Sequence, residues 1–155
     1  MIASLLMLAR PEDLPKIRAT VARYGHDDEK QQLAETQALF KSCHSNVACY
    51  LGKLLDEAAE PFTNYKAAQV LGKLGNQQTA MALVNALDVT RKRQPLYLIS
   101  QVIEALLPDG SASVANALAS KLEQYEATFD EETNGNDQPL ATLLGRLRAR
   151  QSGSS

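Results

Sequence analysis

The strongest constraint on this chain is a helical unit that returns. Its clearest copy is Tyr65-Lys-Ala-Ala-Gln-Val-Leu-Gly-Lys-Leu-Gly75. Ala67, Ala68, Val70, Leu71 and Leu74 fall on one wide apolar stripe at helical spacing. Gly75 is expected to stop the helix in a left-handed conformation, which glycine enters without steric cost. The unit's centre recurs as Gln69-Val-Leu-Gly-Lys-Leu74, Gln101-Val-Ile-Glu-Ala-Leu106 and Thr142-Leu-Leu-Gly-Arg-Leu147. Leu51, Leu54 and Leu55 align with Leu83, Ala86 and Leu87 at a spacing of about 32 residues, and Val70-Leu71 aligns with Val102-Ile103 likewise. A period of this length built from two helices predicts stacked hairpins, because one hairpin cannot bury its apolar face alone. The expected fold class is all-α: an α-α superhelix of about four such units.

Composition agrees. Trp is absent, aromatics make up 5%, and strand-forming runs of Val, Ile, Thr and Tyr are missing. A length of 155 residues allows one domain with a real core, expected over residues 1–150, followed by a linker-like, disordered 151–155. The formal net charge of -2 offers no electrostatic case for bulk nucleic-acid or membrane binding. Met1-Ile-Ala-Ser-Leu-Leu-Met-Leu-Ala9 is apolar, but it lacks a basic leader and is too short to span a bilayer. It reads as a helix packing on the next unit, with the character of a second half-repeat.

Punctuation along the chain places the helices. Pro11-Glu-Asp-Leu-Pro15 suits a helix start, and Ile17, Val21 and Tyr24 continue as a stripe to Gly25. The turn at His26-Asp-Asp-Glu29 opens a helix lined by Leu33, Thr36, Leu39 and Phe40. Ser45 or Asn46 caps the next, Glu60-Pro61 interrupts, and Asn76 caps another. Thr90-Arg-Lys-Arg-Gln-Pro95 is a polar connection, and Pro108-Asp-Gly-Ser111 is a clear break with Ser111 as cap. The acidic stretch 130–137 reads as an extended surface loop, long for a repeat array and therefore a candidate contact.

Cys43 and Cys49 are the only cysteines, and they flank the turn His44-Ser-Asn-Val-Ala48. Two readings stand side by side. A disulfide would clamp one helix end to the next helix start, contribute about 2–2.5 kcal/mol for so short a loop, and require an oxidising compartment. Free thiols would sit buried as small hydrophobes, the state expected in the cytoplasm. Localisation stays unknown between the two.

Chemistry is otherwise thin. His26, Cys43, His44 and Cys49 show no paired ligand spacing, so neither a metal nor a cofactor is expected. Serines fall at caps and in the tail, carboxylates fall in turns, and no phosphate-binding or dinucleotide fingerprint is present. No catalytic residue, and no enzyme, is expected. Arg91-Lys-Arg93 is a compact basic turn, with Lys66, Lys73 and Lys121 at helical positions. A nucleic-acid site needs a continuous basic groove with stacking aromatics, which the chain does not offer.

The Ala-Ala-x-Val-Leu-Gly-x-Leu-Gly pattern of residues 67–75, with first helices of the Ala-x-x-Ala-Leu-x-x-Ala-Leu style, resembles HEAT-like (ARM-type) repeats. The likeness is to the short bacterial kind also seen in phycobilin lyase-type proteins, and it runs from about Pro11 to Arg150. Gln-Pro and Glu-Pro-Phe-Thr-Asn replace the usual Asp-x-x-Val-Arg start of the second helix, so the arginine ladder of such arrays is missing. The cysteine pair with its following Tyr-Leu also resembles some extracytoplasmic members.

What the resemblance implies is a scaffold or adaptor binding another protein through its second helices. That places the partner surface at Lys66, Gln69, Lys73, Gln101, Glu104 and Arg146. Three alternatives stand beside it. A DNA-binding HEAT-like module would show salt-dependent affinity. A lyase or chaperone-type relative would show a deep apolar cleft. A fragment of a longer multidomain protein would explain the apolar, uncapped first helix.

Overall fold

The computed structural model describes residues 2–88, 95–127 and 138–153. Every regular element among them is helical: α1 (Ile2–Leu8), a 3₁₀ turn (Pro11–Asp13), α2 (Leu14–Tyr24), α3 (Asp27–Cys43), α4 (Val47–Leu55), α5 (Pro61–Leu74), α6 (Gln77–Asn85), α7 (Leu96–Leu106), α8 (Ala112–Ala127) and α9 (Gln138–Gly153). The all-α expectation holds. The basic turn Arg91-Lys-Arg93 and the acidic loop 130–137 lie outside the described residues.

Local chemistry starts the helices where the sequence predicts. The Glu29 carboxylate accepts from the His26 backbone N–H at 2.9 Å ahead of α3. Asn46 Oδ1 accepts from the Cys49 N–H at 3.0 Å to cap α4, and Asn76 Oδ1 accepts from the Thr79 N–H at 3.2 Å to cap α6. Ser111 Oγ accepts from the Val114 N–H at 3.3 Å at the head of α8. Each bond satisfies an N–H that the helix leaves without an internal partner.

The chain forms two compact units, residues 1–71 and 72–155. In the first, α1, α2 and α3 pack against one another and α4 packs on α3. Leu6, Val21, Tyr50, Leu54, Ala67 and Leu71 form its driest core. Cys43 and Cys49 are joined by a disulfide, with Cα atoms 5.3 Å apart, across the α3–α4 turn. His44 sits in that turn at φ 50°, and its carbonyl accepts from the Tyr50 hydroxyl. The Asn46 N–H closes the turn on the Cys43 carbonyl at 2.8 Å.

In the second unit, α6 packs on α7 and α8, and α9 packs on α7 and α8. Thus α6 lies on α8 and α7 on α9. Leu83, Ile99, Ile103, Leu118, Leu140 and Leu143 are buried between them.

Three local expectations change. Gly75 follows the end of α5 without a positive φ; the described residues that adopt one are Gly110 and His44. Tyr24 and Leu74 continue their stripes in sequence yet are 64% and 44% exposed, because each lies in a last helical turn, beyond the packing. The helix α9 runs on through Gly153 into the stretch expected to be disordered.

Candidate functional site

A groove of about 670 Å³ opens between α7 and α9, wholly within the second unit. Helical spacing explains its walls. Tyr97, Gln101, Glu104 and Ala105 recur on one face of α7, while Ile99, Val102 and Ile103 point into the core. Pro139, Thr142, Leu143, Arg146 and Arg150 recur in the same way on α9. Packing of α7 on α9 sets these two faces side by side. The turn after α7 closes one end. Gly110 adopts φ +74°, and a Cβ there would meet the Leu147 carbonyl at 3.0 Å and Gln151 Cγ at 3.1 Å.

The groove holds one carboxylate against two guanidiniums. Arg146 Nη1 lies 3.0 Å from Glu104 Oε2, and Arg150 Nη2 lies 3.5 Å from Glu104 Oε1. Arg150 is further committed, since its Nη1 donates to the backbone carbonyls of Glu104 and Leu107 at 3.0 Å each. There it satisfies carbonyls at the negative end of α7. Among the described residues Arg146 pairs with Glu104, and its side chain is 61% exposed, so water screens that pair. Ser100 lines the same wall, and its buried hydroxyl has no hydrogen-bond partner among the described residues. Tyr97 stands on the rim, 63% exposed.

The expected partner surface divides. Gln101, Glu104 and Arg146 come together in this groove. Lys73 is exposed near the end of α5 and does not line it. Lys66 is corrected outright: it has no solvent exposure. Its ammonium donates to the carbonyls of Met7 at 2.7 Å and Ala9 at 2.6 Å, and lies 5.5 Å from the centre of the Phe40 ring. Gln69, half-buried, accepts from the same ammonium at 3.0 Å. Both serve the end of α1 rather than an outer face. Lys121, grouped in sequence with the basic turn, donates to the Leu87 carbonyl at 2.8 Å.

Residue-type reasoning overlooked Tyr97, Ser100, Thr142 and Arg150. Their signal was present as spacing: Tyr97 precedes Gln101 by one turn, and Thr142 and Arg150 flank Arg146 by one turn each.

Among the described residues no cluster of His, Cys, Asp or Glu is arranged to hold a metal ion, and no helix is long and apolar enough to cross a membrane. No family model matches the chain, and neither does any curated protein or any solved structure.

Proposed function

We propose that this chain is a protein-interaction module of stacked, HEAT-like helical hairpins, acting as a scaffold or adaptor without catalysis of its own. The observation that carries the reading is the groove on the paired second helices α7 and α9. First-on-first and second-on-second packing of successive hairpins is what a repeat array requires. The repeated Gln-Val-Leu and Gln-Val-Ile segments supply the matching sequence period. An exposed tyrosine beside arginine and small apolar residues has the composition of a contact surface, where Tyr and Arg dominate binding energy. The fold alone assigns no activity, so the reading rests on the groove.

Site-specific crosslinking tests it. A photoreactive residue in place of Gln101, within the groove, is expected to trap a discrete protein in an extract of the source organism. The same residue in place of Ser120, exposed on α8, is expected to trap none. Thr142→Trp, which fills the groove without adding charge, is expected to abolish the Gln101 adduct. Equal labelling from both positions, or an adduct indifferent to Thr142→Trp, would sink the reading. An adduct with nucleic acid would replace it.

A further inference from the structure

We infer that the α7–α9 groove receives an acidic peptide segment of its partner, whose carboxylate exchanges with Glu104 on Arg146. The inference rests on the interaction reading above and adds the chemistry of the occupant. Its ground is a local imbalance of charge. Of the described residues lining the groove, Arg146 and Arg150 are cationic and Glu104 is the one anion, so this described lining carries one excess positive charge. The chain as a whole has a formal charge of -2, so this excess is not a general property of the surface.

The two arginines are unequal. Arg150 is tied to the end of α7 by two carbonyl bonds and is 31% exposed, whereas Arg146 is 61% exposed. If an incoming carboxylate takes the Arg146 fork, Glu104 keeps Arg150 as its partner and is not left as an isolated charge. A planar guanidinium suits such an exchange because it binds carboxylates in bidentate fashion. As the groove excludes water, the attraction between Arg146 and the incoming carboxylate strengthens and offsets part of the cost of desolvating it.

Two further features suit a peptide. The walls alternate polar and apolar groups, with Ala105, Pro139 and Leu143 available to small apolar side chains. The groove volume is also in the range of sites that take a drug-sized group, room for a few side chains of such a segment.

The test uses the full chain and three dye-labelled peptides followed by fluorescence anisotropy. One alternates Glu with Leu and Ala; in the others Gln or Lys replaces Glu. The acidic peptide is expected to bind, more weakly as salt rises, and the others not. Arg146→Glu is expected to weaken binding by about tenfold or more, the loss of one good charged contact. Arg148→Glu makes the same change of net charge on α9 outside the groove and is expected to change little. Arg146→Gln, which adds no carboxylate beside Glu104, guards against a folding defect and is expected to weaken binding as well.

Equal binding of the Gln peptide, or equal losses from Arg146→Glu and Arg148→Glu, would overturn the inference. Binding of citrate, measured by calorimetry, without binding of any peptide would overturn it too and reassign the groove to a small carboxylate. If Gln101 crosslinks a protein whose contact needs no acidic residue, the inference fails and the interaction reading stands. If neither peptide nor protein occupies the groove, both fall.

Discussion

A lysine ammonium with no solvent exposure needs partners for its charge, and Lys66 finds them in the carbonyls of Met7 and Ala9, Gln69 and the Phe40 ring. Those carbonyls end α1, where the helix leaves acceptors unsatisfied and the dipole favours a cation. Lys66→Met would keep the side chain's bulk and remove every one of those bonds. It is expected to cost about 2–3 kcal/mol, since charged hydrogen bonds are lost and carbonyls are left buried. Urea denaturation checks this, and a cost under about 0.5 kcal/mol would show the site to be better solvated than its burial indicates.

Tyr50 makes a prediction at the same scale. Burial pushes its phenol above the ordinary value of 10.0. Below that value both folded and unfolded chains keep the proton. As pH rises past it, the unfolded chain loses its proton first, so this contribution to stability is whole below about pH 10 and falls as pH climbs through the folded value. In a spectrophotometric titration Tyr50 is expected to ionise late, and Tyr50→Phe to remove that late component. An unchanged titration curve in the variant would contradict the assignment.

At the scale of elements, the starts and the ends of helices were not equally legible. Asn46, Asn76 and Ser111 cap through their own side chains to N–H groups three residues on, so a few neighbouring letters suffice. The far ends are finished from elsewhere in the chain. Asn64 donates to the carbonyls of Lys53, Leu54 and Asp56 at the end of α4, Lys121 reaches past α6, and Arg150 reaches the end of α7. No local pattern marks such a residue.

Glycine was misread for the same reason. A helix followed by Gly75 looks like a left-handed stop, yet the positive φ falls at Gly110, where the turn presses on α9. Gly110→Ala would bring both backbone strain and a clash with the Leu147 carbonyl. A loss of about 1–3 kcal/mol is expected, read as a lowered midpoint in thermal unfolding. Gly145→Ala, with open space at its Cβ and a helical backbone, is expected to be neutral or stabilising and serves as the control.

Across the whole molecule, the disulfide and the groove belong to different compact units. Replacing Cys43 and Cys49 by serine is expected to remove about 2 kcal/mol, the value for so short a closed loop. Hydrogen exchange should then quicken in α3 and α4 while α7 and α9 keep their protection. Uniform acceleration through both units would show a single cooperative structure instead.

Sequence alone determined that the chain is helical, where most helices start and which stripes are buried. Those properties follow from hydrophobic period and capping, which act over one or two turns. Gln101, Glu104 and Arg146 were also legible as polar positions of a repeating unit. Only tertiary structure decided that these three share one groove while Lys66, a polar residue of its own helix, is sealed beneath α1. It decided as well that Arg150 and Ser100 belong with them. Burial and charge balance at a site depend on what a second, distant helix sets against the first, and that contact is written in neither helix by itself.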